Sequence, residues 1–384
     1  MNLIRVAALA QKEWREILRD RLFFSLSFVV PALLMLLFGY GLSLDVENIP
    51  FAIHDLDRTP QSRDYAYRFI HSRYFDFKGY VTGEAQAQQL LGQGSVRAVI
   101  VIDRNFGREL SADRPAHVQT LLDGTFPYRT QVTKGYITAI NTAVTRELLA
   151  DYMVRVKGLS PSRAQDAVDP VRLEVRYLYN QGLKSSWGVA SKLIMALLLM
   201  CPPFLTALGV VREKESGAIY NIYASNATRA EFLVGKLNPY FCIAFINAMV
   251  LWAMACFLFG APFKGSATAF LFATVLYVLC STGIGLLISI LVGSQVAAMI
   301  VTAVVTAMPS MLYSGLLTPV ASMNWTARGV AAVFPAMYYG RIIESCFLKG
   351  LGWGNAWGDM LVLAGYGAGL FAVGYAMFHK RGKT

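Results

Sequence analysis

Val210–Lys236 reads VVREKESGAIYNIYASNATRAEFLVGK and lies between two long apolar runs, Trp187–Val211 and Leu237–Gly260. A charged stretch this short between two membrane-length runs is a turn on one face of a bilayer, not a domain. Basic Arg212, Lys214, Arg229 and Lys236 are interspersed with Glu213, Glu215 and Glu231, and loops rich in Lys and Arg stay in the cytoplasm. Ile219, Ile222 and Tyr223 stand at helical spacing and predict a short amphipathic helix just after Gly217. Thr228 with Glu231 three residues on is a capping-box pattern, so a helix stops near Ala224 and a new one starts at Arg229. The expected shape is helix, short surface helix, turn, helix, presented to a cytoplasmic partner. The same charges are also explained by topology alone.

The rest of the composition agrees with a membrane setting. The chain has 384 residues, 55% hydrophobic and 15% charged, against about a quarter charged in soluble domains. Its net charge of +11 is read as cytoplasmic Lys/Arg loops. No Lys/Arg run interleaved with aromatics marks a nucleic-acid surface. Four of the five cysteines (Cys201, Cys242, Cys256, Cys280, Cys346) fall in apolar runs, and none falls in Asp45–Ser186. That excludes a disulfide framework there, and no CxxC or HExxH spacing suggests a metal.

Outward from the hinge, Met1–Arg21 is basic, with Leu3, Ala7, Ala10, Trp14 and Ile17 every three or four residues. It reads as an amphipathic helix in the cytoplasmic membrane interface. Leu22–Leu44 is uncharged and about 34 Å long as a helix, enough to span. It is too long for a signal-peptide core, and Pro31 should kink it. Further spans are Trp187–Val211, Leu237–Gly260, Ala267–Val292, Val296–Leu317 and Asp359–Phe378, making six. Roughly a dozen Lys/Arg lie on the side of the termini and the hinge, against Lys264, Arg328, Arg341 and Lys349 opposite. Both termini are therefore expected in the cytoplasm and Asp45–Ser186 outside.

Asp45–Ser186 alternates strand and helix patterns and reads as a small α/β domain. Strands are expected at Pro50–Leu56, Phe75–Val81, Val96–Ile102, His117–Leu122 and Arg172–Tyr179. Helices are expected from Thr59-Pro60 to about Arg73, over Glu84–Leu91, over Arg104–Leu110 behind Asp103, and along Pro127–Lys157. Asp57, Asp103 and Asp123 each end a strand, as turn and cap residues or as a ligand site. Thr318–Gly358 reads as an outer re-entrant segment with short helices at Val330–Phe334 and Met337–Leu348 broken at Pro335. Within it, Arg341 and Glu344 are three apart and can pair.

No GxxxxGK[ST] occurs, so ATP hydrolysis by that route is excluded. The spans hold almost no ionisable group; Lys192, near an outer end, is free to snorkel. An ion-coupled carrier needs intramembrane relays, so energy must arrive from elsewhere, through the charged hinge. Thr302, Thr306, Ser310 and Tyr313 form one polar stripe beside Pro309, either lining a path or bonding their own helix. Met195, Met200 and Phe204 make an adaptable apolar wall.

VVREKESGAIYNIYASNATRAEFLVGKLNPY (Val210–Tyr240), LYSGLLTPVASM (Leu312–Met323) and FPAMYYGRIIESCFLKG (Phe334–Gly350) together resemble ABC-2 type permeases, the membrane subunits of ATP-binding-cassette exporters. The order of elements matches along the whole chain. Ala218 stands where that family often has Thr, and Asn226 where Pro is common. The resemblance implies a permease dimer, homodimer or with a close paralogue, clamping ABC ATPase subunits. ATP and Mg would sit on that partner, with no cofactor on this chain. It implies that Arg212, Glu213, Lys214, Glu215, Gly217, Ile219, Tyr223, Thr228 and Glu231 couple to the ATPase, with Glu213 and Glu215 as its charge partners. It also suggests that the second and fifth spans meet their dimer mates around a path touching Met195, Phe204, Thr302, Thr306, Ser310 and Tyr313. The expected cargo is amphipathic (a drug, lipid or lipid-linked molecule), moved outward across a bacterial inner membrane, with a periplasmic adaptor as a further partner. The competing class is a membrane scaffold or sensor whose outer domain binds an envelope partner.

Overall fold

The computed structural model describes residues 2–42, 46–171, 174–182, 184–218, 228–316 and 318–378. The chain divides into two compact units, Asp45–Arg176 and the remainder.

Among the described residues, the remainder contains six helices long and apolar enough to cross a membrane. They are Arg21–Gly41, Ser185–Glu215, Arg229–Leu258, Ala267–Leu291, Gln295–Leu312 and Trp353–Met377, called here the first to sixth membrane helices. The second is the centre of the bundle: 89% of its most apolar window is buried, against 17–61% for the others. In lipid, every backbone group must find a partner inside the protein. The prolines show how this is met. Pro202 cannot donate to the Leu198 carbonyl one turn back, and Ser281 Oγ of the fourth helix donates to it instead. Pro31 likewise leaves the Ser27 carbonyl, and Asn247 Nδ2 of the third helix donates to it at 2.5 Å. Where the fourth helix crosses the second, a Cβ on Gly285 would stand 2.6 Å from the Pro203 carbonyl, so only glycine permits that approach.

Between the fifth and sixth helices lie two short helices, Trp325–Val333 and Pro335–Glu344, the latter prolonged by a π turn at Ser345–Lys349. The break falls at Pro335, as expected. A further helix, Leu3–Arg19, precedes the first membrane helix and packs along the third. Of the expected row, Ile17 and Trp14 do pack inward at the C-terminal end, but the N-terminal part of the row does not. Leu3 is 72% exposed, whereas Glu13 and Ile17 are buried. Leu9 and Val6 lie against Gly235, which has no side chain to hold them off.

The other unit is a four-stranded sheet of order β2-β1-β3-β4, with β1 Ile49–Asp55, β2 Phe75–Tyr80, β3 Ala98–Ile102 and β4 Val118–Leu122. β1 pairs parallel with β2 and β3, and β4 runs antiparallel to β3. Alternation along β1 sends Phe51 and Ile53 to one face and Ala52 to the other. The first face is covered by helices Pro60–Ile70, Phe106–Ser111 and Pro127–Lys157 through Tyr65, Phe69, Phe106 and Ile137. The second is covered by helix Glu84–Gly92 through Ala87. The expected last strand is absent: residues 174–179 carry no strand, and 172–173 lie outside the described residues. A helix at Pro161–Val168 was missed, although Ser160-Pro161 repeats the Thr59-Pro60 start signal. The strand-ending aspartates do turn and cap work. Asp57 accepts from Thr59 and from Gly107 N, Asp103 from Arg104 N, and Asp123 pairs with Arg97 and accepts from Thr125 N.

Candidate functional site

The second membrane helix does not end at Val211 but continues to Glu215, so Arg212–Glu215 is its last turn. Successive side chains on a helix project about 100° apart, at 3.6 residues per turn, and these four reach in different directions. Arg212 Nη1 lies 2.5 Å from Asp20 Oδ2. Asp20 is the N-cap of the first membrane helix, accepting from Leu22 N at 2.9 Å. Glu213 takes Lys12 Nζ of the N-terminal helix at 2.6 Å and Lys236 Nζ of the third membrane helix at 2.8 Å. Lys214 Nζ donates to the carbonyls of Ser289, Ile290 and Val292 at the end of the fourth helix, where unpaired carbonyls and the helix dipole favour a cation. Glu215 accepts from Gln295 N at 2.8 Å and from Gln295 Nε2 at 2.5 Å, at the start of the fifth helix, where the dipole favours an anion. One turn thus grips the N-terminal helix and four membrane helices.

The centre of the junction is a buried ionic network. Lys236 Nζ is 2.5 Å from Glu13 Oε1, and Tyr240 OH donates to Glu13 Oε2 at 2.9 Å. The side chains of Lys236, Glu13 and Glu213 are 3%, 4% and 7% exposed. Lys236 between Glu13 and Glu213, with Lys12 also on Glu213, supplies the pairing that makes such burial tolerable. Tyr240 fits because Gly209 opposite it has no Cβ. Burial pushes the Glu13 carboxyl above its ordinary value despite Lys236. Burial alone would lower Lys12, but Glu213 outweighs it and holds the ammonium raised. The Arg212 guanidinium draws Asp20 down. Carboxylate oxygens of Glu13, Glu16 and Glu213 lie within 4.8 Å of one another. Lys12 lies 3.6 Å from Glu16 and 2.6 Å from Glu213, and Lys236 bridges Glu13 and Glu213, so ammonium groups already occupy this donor set.

Across the turn, Thr228 and Glu231 form the expected capping box, and the third helix starts at Arg229. Glu231 also accepts from Asn2 N at 2.6 Å, tying down the start of the chain. Gly217 adopts φ +74°, a left-handed conformation suited to glycine, and stops the helix. Ile219, Ile222, Tyr223 and the short helix expected there lie outside the described residues. Glu213 departs from expectation: it is 5% exposed and ion-paired with two lysines of its own chain, so it offers no surface charge to a partner. Glu215 stays exposed on the surface. None of Glu13, Lys12, Lys236, Tyr240, Asp20 and Gln295 is among the residues expected to couple, although Lys236 counts among the basic residues of the hinge. The signal was present, since Glu13 lies four residues before Ile17 and Lys236 four before Tyr240, at core-facing spacing.

At the opposite end of the bundle the expected Arg341–Glu344 pair does not form. Arg341 reaches Asp359 Oδ1 at 2.6 Å across the Tyr338 ring. Glu344 is taken by Lys349 at 2.7 Å and Lys192 at 3.5 Å. Lys192 does not snorkel to solvent, for it also donates to the Gly315 carbonyl at 3.0 Å. Of the path residues, Thr302, Thr306 and Ser310 are buried against the second helix. Thr306 donates to the Thr302 carbonyl one turn back at 2.7 Å, and Ser310 to the Ala196 carbonyl at 3.0 Å. Met195 is buried against Gly340, whereas Phe204 and Tyr313 are half-exposed. Of the hydroxyl stripe, Ser310 therefore joins the fifth helix to the second, Thr306 bonds its own helix, and Tyr313 alone is partly open.

Residues 21–376 match the family model described as "ABC-2 family transporter protein". The chain is 27% identical over 350 residues to the Escherichia coli (strain K12) protein named "Probable multidrug ABC transporter permease YbhS", covering 90% of this chain and 89% of that one. It is 26% identical over 381 residues to "Probable multidrug ABC transporter permease YbhR" of the same organism, covering 98% and 99%. It is 24% identical over 275 residues to "Linearmycin resistance permease protein LnrN" of Bacillus subtilis (strain 168), covering 68% and 70%. With six membrane-length helices among its described residues, a charged turn tying five of them together and a family match over nearly its whole length, the chain is a multi-pass membrane protein that belongs to the ABC-2 family of transporter proteins.

Proposed function

We propose that the chain is the permease subunit of an ATP-driven exporter, carrying an amphipathic compound outward across a bacterial inner membrane. An ABC ATPase on a separate chain supplies the energy, and the termini and the hinge face the cytoplasm. The observation that carries this reading is the junction at Arg212–Glu215. Four consecutive side chains fasten one helix end to Asp20, to Lys12 and Lys236, to the end of the fourth helix and to Gln295. A push on the neighbouring turn is then delivered to several helices together, as a step powered from outside the membrane requires. The relatives named as multidrug permeases support an apolar or amphipathic cargo.

A second permease copy completes the transporter in this reading. Val296, Ile300, Val304 and Met308 recur every fourth residue along the fifth helix and are 53–62% exposed, an apolar row suited to a mate or to lipid. The test is purification from native membranes in mild detergent. A P-loop ATPase should come with the chain, and its turnover should depend on it. Recovery of the chain alone, or with envelope proteins only, returns the argument to a scaffold or sensor.

A further inference from the structure

The α/β domain holds a cleft of about 670 Å³, within the roughly 300–1,000 Å³ of small-molecule sites. One wall is the helix Pro127–Lys157, through Val144 and Leu148; the other is Phe106 and Leu110 of the helix Phe106–Ser111. Tyr65 lies at its base, 6% exposed, and its hydroxyl donates to Asn141 Oδ1. Burial raises the Tyr65 phenol, so it remains a neutral donor. That bond commits the Asn141 oxygen and leaves its Nδ2 able to donate into the cleft. Arg114 and Arg155 line the same space, and Asp113 is the acid among the lining residues.

Three other arginines of the domain are held by acids. Arg68 pairs with Glu147, Arg97 with Asp123 and Arg146 with Asp169. Among the described residues, no side-chain partner engages Arg114 or Arg155. Unpaired guanidiniums beside apolar walls and an amide donor suit one kind of guest: an apolar body carrying an acid, since guanidinium binds carboxylate and sulfonate oxygens through charge-assisted bonds. We propose that this cleft binds an amphipathic organic anion, with its ring system between Phe106, Leu110, Val144 and Leu148 and its acid group at Arg114 and Arg155. The inference goes beyond the transport reading and does not depend on it, because a sensor domain could use the same site.

The test uses the full chain in lipid nanodiscs without any ATPase, with dansylglycine as the probe and its uncharged methyl ester as the control. Dansyl emission should rise saturably at one site per chain, beyond the signal of empty discs. The ester should bind at least tenfold more weakly. The double variant Arg114→Ala/Arg155→Ala, altered at exposed positions, should weaken dansylglycine at least tenfold and bring its affinity near that of the ester. Leu148→Trp should fill the cleft and abolish saturable binding of both. Absence of saturable binding, or binding that neither variant changes, overturns the proposal. Either result leaves the dependence of ATP turnover on the permease untouched, so the two readings fail separately.

Discussion

Lys236 shows what the junction asks of a single residue. Its ammonium balances Glu13 and Glu213 in a site almost closed to solvent. Breaking a buried pair by removing one partner costs about 3–5 kcal/mol, because the other charge is left uncompensated. Lys236→Met should therefore lower the unfolding temperature in detergent sharply, and Glu13→Gln added to it should recover a large part of the loss. Equal stability of Lys236→Met and the parent would mean that the network carries no charge. A second prediction at this scale concerns pH. Thr125 and then Arg97 bond the Asp123 carboxylate and draw its pKa down to about 2, below the ordinary 3.8. The stability it contributes is present above 3.8 and is lost as pH falls from there through about 2. Pepsin cleavage of the α/β domain should rise across that window in the parent, while Asp123→Asn should already be susceptible above it and rise less. The spacing of Glu13 and Lys236 hints at an inward face, but their partnership was not legible, because charged residues are almost never fully buried unless paired and this pair spans 223 positions of sequence.

At the level of elements, much was legible. Apolar runs fix the membrane helices, and turn chemistry fixes the starts at Thr59-Pro60 and Thr228. What the sequence hid was where charged residues continue a helix. Arg212–Glu215 reads as loop because it is charged, yet it is the last turn of the second membrane helix, whereas the helix start at Arg229 was announced by Thr228 and Glu231. The Arg172–Tyr179 strand failed because alternating Arg, Leu, Glu and Val fit a strand only if a neighbour pairs with it. The sheet is instead built of β1–β4 alone among the described residues. Close approach of elements depends on small residues, as at Gly285, where any Cβ meets the Pro203 backbone at 2.6 Å. Overpacking costs about 1–3 kcal/mol. Gly285→Leu should therefore lower the unfolding temperature and loosen the second helix from the fourth, seen as faster amide exchange near Leu198. Unchanged exchange would mean that the crossing is more open than the contact implies.

For the whole molecule, the family, the six-helix plan and the inserted domain follow from patterns that local physics enforces. Length of apolar run sets a span, and Lys/Arg asymmetry suggests its orientation. The junction is a property of the assembled chain, since it joins residues 12–20, 212–215, 236–240 and 289–295. In the proposed exporter, motion enters the bundle through this turn. Glu215 is the best probe, because it is exposed and its loss uncovers only the start of the fifth helix. The measurement is ATP turnover and cargo movement by the co-purified complex carrying Glu215→Lys, beside Glu215→Lys/Gln295→Glu, which restores an oppositely signed pair. The account predicts that Glu215→Lys folds and assembles with its ATPase but loses transport, and that the double variant recovers part of it. Normal transport by Glu215→Lys would contradict it.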